Sequence, residues 1–260
     1  MNKSLLSLAA CALLSLNAYA VDKDTCATQG DDFIYAGGEC IQFHEAQGER
    51  ENILNIIVHG TWPEGSNTLG RYAPFADDLS MQTDITTIAV ALPGYSKSST
   101  NNFKALAHKG VKNLSKDKKY IEFLSQLVQG LKEKYEVKTV NYIGHSAGAT
   151  MGATLTGYNP GLISLMASAG ASYSVDDKKN TSNSIALSDF IDDKNITTKY
   201  LLIYGTQDKI SKPEVTTRFY EKAKAKGMDV TLVKAQDAVH LDLDMSDASV
   251  ESIVDTLEEE

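Results

Sequence analysis

Six short runs of aliphatic and β-branched residues, each followed by a more polar stretch, limit what this chain can become. They are NILNIIVHG (52–60), ITTIAVALPG (85–94), TVNYIGHS (139–146), LISLMASAG (162–170), KYLLIYGTQD (199–208) and DVTLVKAQ (229–236). Several are nearly continuous in Val, Ile and Leu, the pattern of strands covered on both faces. Between them the apolar period changes. Over 116–134, Tyr120, Phe123, Leu124, Leu127, Val128 and Leu131 share one helical face, with Ser115 as the expected N-cap. A helix over about 212–226 is expected to take Ser211 as its cap and Pro213 in its first turn, where the missing N–H costs no intrahelical bond. Val250, Ile253, Val254 and Leu257 form a C-terminal stripe. This alternation predicts an α/β fold with a mostly parallel sheet and helices on both sides. A chain of 260 residues, 42% of them hydrophobic, suits one large core.

The N-terminus has its own logic. MNKSLLSLAACALLSLNAYA places one lysine before a short apolar run that ends in Ala18-Tyr19-Ala20, a small-x-small cleavage pattern. Residues 1–20 therefore read as a signal peptide, leaving a single domain over 21–260 in the periplasm or the extracellular medium. Leu8-Ala9-Ala10-Cys11 offers a second reading, a lipoprotein anchored through Cys11. With Cys11 removed, Cys26 and Cys40 are the only thiols, and in an exported chain they are expected to pair. Closing that loop contributes about 3 kcal/mol in the chain-entropy model; two buried free thiols are the alternative.

The formal net charge of −9 is spread without a basic cluster beyond KDKK at 116–119, which argues against nucleic acid and anionic lipid as partners. No segment past the leader is apolar enough for stable membrane insertion. Two long connections, 93–114 and 172–198, start at the carboxyl ends of expected strands, the edge where open α/β sheets bind ligands. The second is expected to form a small, polar, cap-like loop near the site.

One of the six runs ends in chemistry. Gly144-His145-Ser146-Ala147-Gly148 lies between a strand and a helix rich in small residues, the context of a nucleophile elbow. Side chains at 144 and 148 would collide with the neighbouring strand and helix, and Ala149, Gly152 and Ala153 let that helix approach the sheet. A serine hydroxyl needs a base, and the base an orienting acid. Asp208 closes LLIYGTQD at a strand end, and His240 in DAVHLDLD follows the last strand. Asp208 can equally be a turn residue, while Asp237, Asp242 and Asp244 share the loop of His240, a poorer place from which to hold its ring. His44 and His108 lack strand-end context, and His145 is directed away from Ser146 by the turn. In IIVHGTW (56–62), His59 reads as a buried scaffold residue; the amides of Thr61 and Ala147 are the expected oxyanion donors. Trp62 either lines the pocket or packs.

Taken together, HGTW, LPGYSKSS, GHSAG, LLIYGTQD and AVHLD resemble the α/β-hydrolase family, its serine esterase and lipase-like branch, from about residue 50 onward. The resemblance implies an eight-stranded, mostly parallel sheet, a Ser146–His240–Asp208 triad and no cofactor; substrate contact at Trp62 and Tyr95, a small acyl substrate and no metal are expected beside it. PGYSKS departs from the family's P-G-x-G-x-S in having Ser96 after Tyr95, which bears on loop shape. Serine at the elbow separates the chain from the aspartate-using dehalogenase and epoxide hydrolase branches. An exported carboxylesterase is the implied function; a peptidase or amidase on the same scaffold, or a non-catalytic binding protein, are its alternatives. Asn113, Asn180 and Asn195 begin glycosylation-type triplets.

Overall fold

The computed structural model describes residues 22–63, 66–95, 114–175 and 183–259. Residues 1–20, expected to be a signal peptide, with Cys11, and His108, Ser96, Asn113 and Asn180 lie outside the described residues.

A short helix α1 (Lys23–Ala27) is joined by the Cys26–Cys40 disulfide to a hairpin of β1 (Phe33–Ala36) and β2 (Glu39–Ala46). Gly37 and Gly38, with φ of 58° and 86°, make its two-residue turn, which needs positive φ at both positions. There follow β3 (Arg50–Val58), α2 (Thr68–Thr83), β4 (Ile85–Val90), α3 (Lys118–Lys134), β5 (Thr139–His145), α4 (Ala147–Tyr158), β6 (Leu165–Ala169), β7 (Lys199–Gly205), α5 (Pro213–Ala225), β8 (Val230–Ala235) and α6 (Asp247–Glu258). All six expected strands are present. The sheet has eight strands in the order β1-β2-β4-β3-β5-β6-β7-β8, antiparallel only at β1–β2 and β2–β4.

Alternation along the strands builds two cores. Leu54, Ile56, Val58, Tyr142 and Leu202 face α3, α4 and α5, against Tyr120, Leu124, Leu127, Ala149, Ala153 and Phe219. Ile53, Ile57, Ile143, Leu201 and Ile203 face α2 and α6, against Tyr72, Phe75, Leu79, Ile253 and Leu257. Burial on both faces is why these strands are apolar throughout. One polar row interrupts them. Asn141 Nδ2 donates to Asn55 Oδ1 at 3.1 Å, and Asn55 Nδ2 donates to Thr87 Oγ1 at 3.2 Å, across β5, β3 and β4. These residues sit directly opposite one another in register. Each buried amide bond counts because losing one partner strands the other away from water.

Two caps differ from expectation. The N-cap of α3 is Asp117, whose carboxylate accepts from the Lys119 amide, because Leu114–Lys116 already form a 3-10 turn that includes Ser115. Helix α5 starts after Lys212 with Pro213 in its first turn as expected, but the Ser211 hydroxyl is committed to the Ala171 carbonyl at 2.8 Å and does not cap. In the 172–198 connection, Ala186, Leu187 and Ile191 are buried, with Leu187 and Ile191 in the core beside α4, so this part is anchored rather than free-standing. No helix among the described residues is long and apolar enough to cross a membrane.

Candidate active site

Strand β5 delivers Ser146 into a backbone conformation rarely taken by a residue with a side chain, φ 51° and ψ −111°. The turn is locked from several sides. The Ser146 amide donates to Ala169 O at 2.8 Å, and the Ser146 carbonyl accepts from both the amide and the hydroxyl of Thr150. The flanking glycines are required by space. A Cβ at Gly144 would lie 2.6 Å from Ala149 Cα, and one at Gly148 would overlap the Val58 carbonyl. Helix α4 therefore rides close on the sheet with its N-terminus just beyond Ser146, leaving first-turn amides free of intrahelical partners.

The three expected side chains meet. His240 Nε2 is 2.8 Å from Ser146 Oγ, and His240 Nδ1 is 2.7 Å from Asp208 Oδ2. Asp208 is buried in the turn after β7, where Oδ1 accepts the amides of Ile210 and Ser211 at 2.8 Å each. One oxygen of Asp208 thus ties a turn, and the other meets the imidazole. Gly170, with φ 65°, leaves the room His240 occupies; a Cβ there would stand 3.2 Å from the ring. Asp242 pairs with Arg71, Asp237 is exposed, and Asp244 is buried beside His145, so none of them holds His240.

The loop after β3 lies over the elbow. A Cβ on Gly60 would be 3.0 Å from Ser146 Cβ, so the Gly60 backbone lies against the elbow. Thr61 is exposed and Ala147 buried. His59 anchors this loop. Its Nε2 accepts the Leu92 amide at 3.1 Å, so Nδ1 carries the hydrogen and donates to Gly60 O at 2.8 Å. Burial pushes His59 down to about 4. Its folded form therefore binds fewer protons than the unfolded chain between pH 6.5 and 4, and stability falls as the solution is acidified through that window. A loss of about 3 kcal/mol over the window is expected from this group. Thermal midpoints across it should show a slope that His59→Asn flattens.

The other candidates are placed differently. Trp62 packs, half-buried, against the α2 face of the sheet, with the Arg71 guanidinium 5.0 Å over its ring. Tyr95 does not meet its expectation of substrate contact. It is 6% exposed, its ring set against Tyr120 and His59 inside the core, because the chain turns inward at Leu92–Tyr95. His44 pairs with Asp77 on the far side of β2. His145 points away from Ser146, as the turn requires, and reaches His240 from behind: its Nε2 donates to the His240 carbonyl at 2.7 Å. Sequence reasoning missed this second contact, and with it Tyr72 and Arg71 of α2, since no motif links that helix to the elbow. Among the described residues no group of His, Cys, Asp and Glu is arranged to hold a metal ion.

No family model matches the sequence, and no curated protein matches it in sequence. Solved structures do match in fold. Est1E from Butyrivibrio proteoclasticus, bound to ferulic acid, superimposes with a TM-score of 0.61 at 15% identity, covering 87% of this chain and 96% of that one. Esterase PE8 gives 0.60 at 17%, over 84% and 96%. An alpha-beta serine hydrolase homologue from Coxiella burnetii gives 0.57 at 13%, over 87% and 94%. The chain has the α/β-hydrolase fold.

Proposed function

We propose that this chain is an exported serine hydrolase that cleaves carboxylic esters of short or medium acyl length through an acyl-enzyme. The observation that carries the reading is the unbroken chain from Ser146 Oγ through His240 to Asp208, at 2.8 and 2.7 Å. His240 Nε2 accepts the hydroxyl proton as Ser146 Oγ bonds to the acyl carbon, and the amides of Thr61 and Ala147 hold the oxyanion. Collapse breaks the ester C–O bond, and His240 gives its proton to the departing alcohol. Water, deprotonated by the same nitrogen, then releases the carboxylic acid and restores Ser146. Asp208 keeps the hydrogen on Nδ1 and stabilises the imidazolium.

The surroundings support an ester with apolar parts. Ile210, Val239 and Leu241, 78%, 52% and 53% exposed, flank the acid and the base along the chain and put uncovered apolar surface beside them. The polar 172–198 connection supports short acyl chains over lipase-like substrates, and the ferulic acid in Est1E makes a hydroxycinnamate ester a suitable first assay. The Cys26–Cys40 bond and the N-terminal leader support export.

A fluorophosphonate probe tests the nucleophile directly: labelling mapped to Ser146 is expected, and an unlabelled, folded protein is the result of a non-catalytic binder. The same preparation should cleave tributyrin faster than a long-chain triglyceride. A faster rate on a peptide amide than on any ester would assign the triad to a peptidase instead.

A further inference from the structure

Behind the Ser146–His240–Asp208 chain lies a second carboxylate and imidazole that the proposed reaction does not use. Asp244 is 1% exposed, in a 3-10 turn just after His240, and its Oδ1 has no hydrogen-bond partner among the described residues. It faces Nδ1 of buried His145 at 3.9 Å. The other nitrogen of His145 is already assigned. A carbonyl only accepts, so Nε2, 2.7 Å from His240 O, carries a hydrogen. Nδ1 then either bears a proton toward Asp244 or presents a lone pair to it. The Tyr72 hydroxyl, 3.4 Å from Nδ1, is within reach of the imidazole and leaves Asp244 Oδ1 without a partner among the described residues.

Proton counting decides the state. An ionised carboxylate facing an imidazole lone pair away from water is a costly arrangement. One proton held between Asp244 and His145 removes that conflict, whichever atom carries it. Burial pushes the Asp244 carboxyl above its usual range, in the same direction. Arg71 on α2 opposes this and Asp242 on the same loop reinforces it; Tyr72, His59 and His240 are the remaining titratable groups facing the pair.

We propose that Asp244 and His145 share one buried proton, and that this pair acts as a positioning device holding the His240 main chain so that its ring stays on Ser146. The proposal rests on the catalytic reading of Ser146, His240 and Asp208. When alkali removes the shared proton, the one hydrogen left on the imidazole cannot serve both the carboxylate and the His240 carbonyl. His145 is then drawn off the His240 carbonyl, whose other amide contact, from Leu243, is a long 3.4 Å. Reactivity of Ser146 falls although Ser146, His240 and Asp208 are all present.

Asp244→Asn separates this from simple packing, because it keeps the shape and supplies a permanent N–H to Nδ1 without a titrating proton. The test follows two quantities against pH in the mature chain, the fluorophosphonate labelling rate of Ser146 and the thermal midpoint. At neutral pH the variant should label within about fivefold of wild type, the scale of one hydrogen-bond change. At high pH the wild-type rate should fall by roughly tenfold per pH unit, as one proton is lost, and the variant should stay level. The midpoint has its own sign. Above about pH 6.5 the unfolded chain has lost both protons of this pair while the folded chain keeps one, so wild-type stability declines with pH and the variant's declines less. His145→Gln, which retains an N–H donor for the His240 carbonyl, should also lack the alkaline fall. Parallel curves for wild type and Asp244→Asn, in rate or in midpoint, overturn the proposal. Absence of Ser146 labelling at every pH overturns the hydrolase reading instead, and the midpoint comparison then decides the pair alone.

Discussion

Ser146→Ala should abolish ester turnover, with kcat/KM falling by about 10^4- to 10^6-fold, the range seen when a triad nucleophile is removed. The fold should not register the change. Alanine meets the same steric penalty at φ 51° that serine does, and the turn is held by the amide and carbonyl of residue 146, bonded to Ala169 and Thr150, without the Ser146 hydroxyl. A paired measurement therefore reads chemistry separately from stability: activity lost, thermal midpoint within a degree or two. Ser146→Gly sharpens the test, since glycine takes positive φ without strain. It should be equally inactive and more stable, by about 1 kcal/mol. Turnover that survives Ser146→Ala would assign the nucleophile elsewhere.

Asp208→Asn is the second large effect, and its cause is a tautomer. Oδ1 of Asp208 accepts two amides, from Ile210 and Ser211. An asparagine must keep its carbonyl oxygen there, since its NH2 cannot accept. That leaves the NH2 facing His240 Nδ1, where Asp208 Oδ2 stood at 2.7 Å. Nδ1 becomes the acceptor, the ring hydrogen moves to Nε2, and Nε2 can no longer take the proton of Ser146. A fall of about 10^4-fold in kcat is expected with the site geometry intact. Fluorophosphonate labelling should slow in step with turnover. Unchanged labelling would mean that the base works without its acid.

The site was more legible than its support. Gly144, Ser146 and Gly148 announce themselves because only small residues fit where the helix meets the strands, and Asp208 and His240 stand at the ends of runs that burial forces to be apolar. Helix α2 gives no such sign. Gly70 and Pro74 lie inside it, and both are residues that usually break helices. Tertiary packing of Tyr72, Phe75 and Leu79 outweighs that local preference. The two misplaced caps, Ser115 and Ser211, show the same limit on a smaller scale: each stands beside the right helix, yet Ser115 is taken into a 3-10 turn and the Ser211 hydroxyl goes to the Ala171 carbonyl in the loop after β6. The motif around Tyr95 says nothing of its burial, which follows from the path of the chain after β4. In the sequence Asp244 stands only as a rival acid, because nothing in the linear text brings it to His145.

The row of Thr87, Asn55 and Asn141 acts as a ruler for the site. Three residues beyond Asn55 and Asn141, Val58 stands opposite Gly144, and two further on the Gly60 backbone meets Ser146. A slip of one position between β3 and β5 would move that loop by about 3.3 Å, a whole hydrogen-bond length, while every apolar residue changed sides. Anyone grafting this elbow into another scaffold would have to carry both strands and their amides as a unit. Transplanted loops alone would lose their vertical alignment.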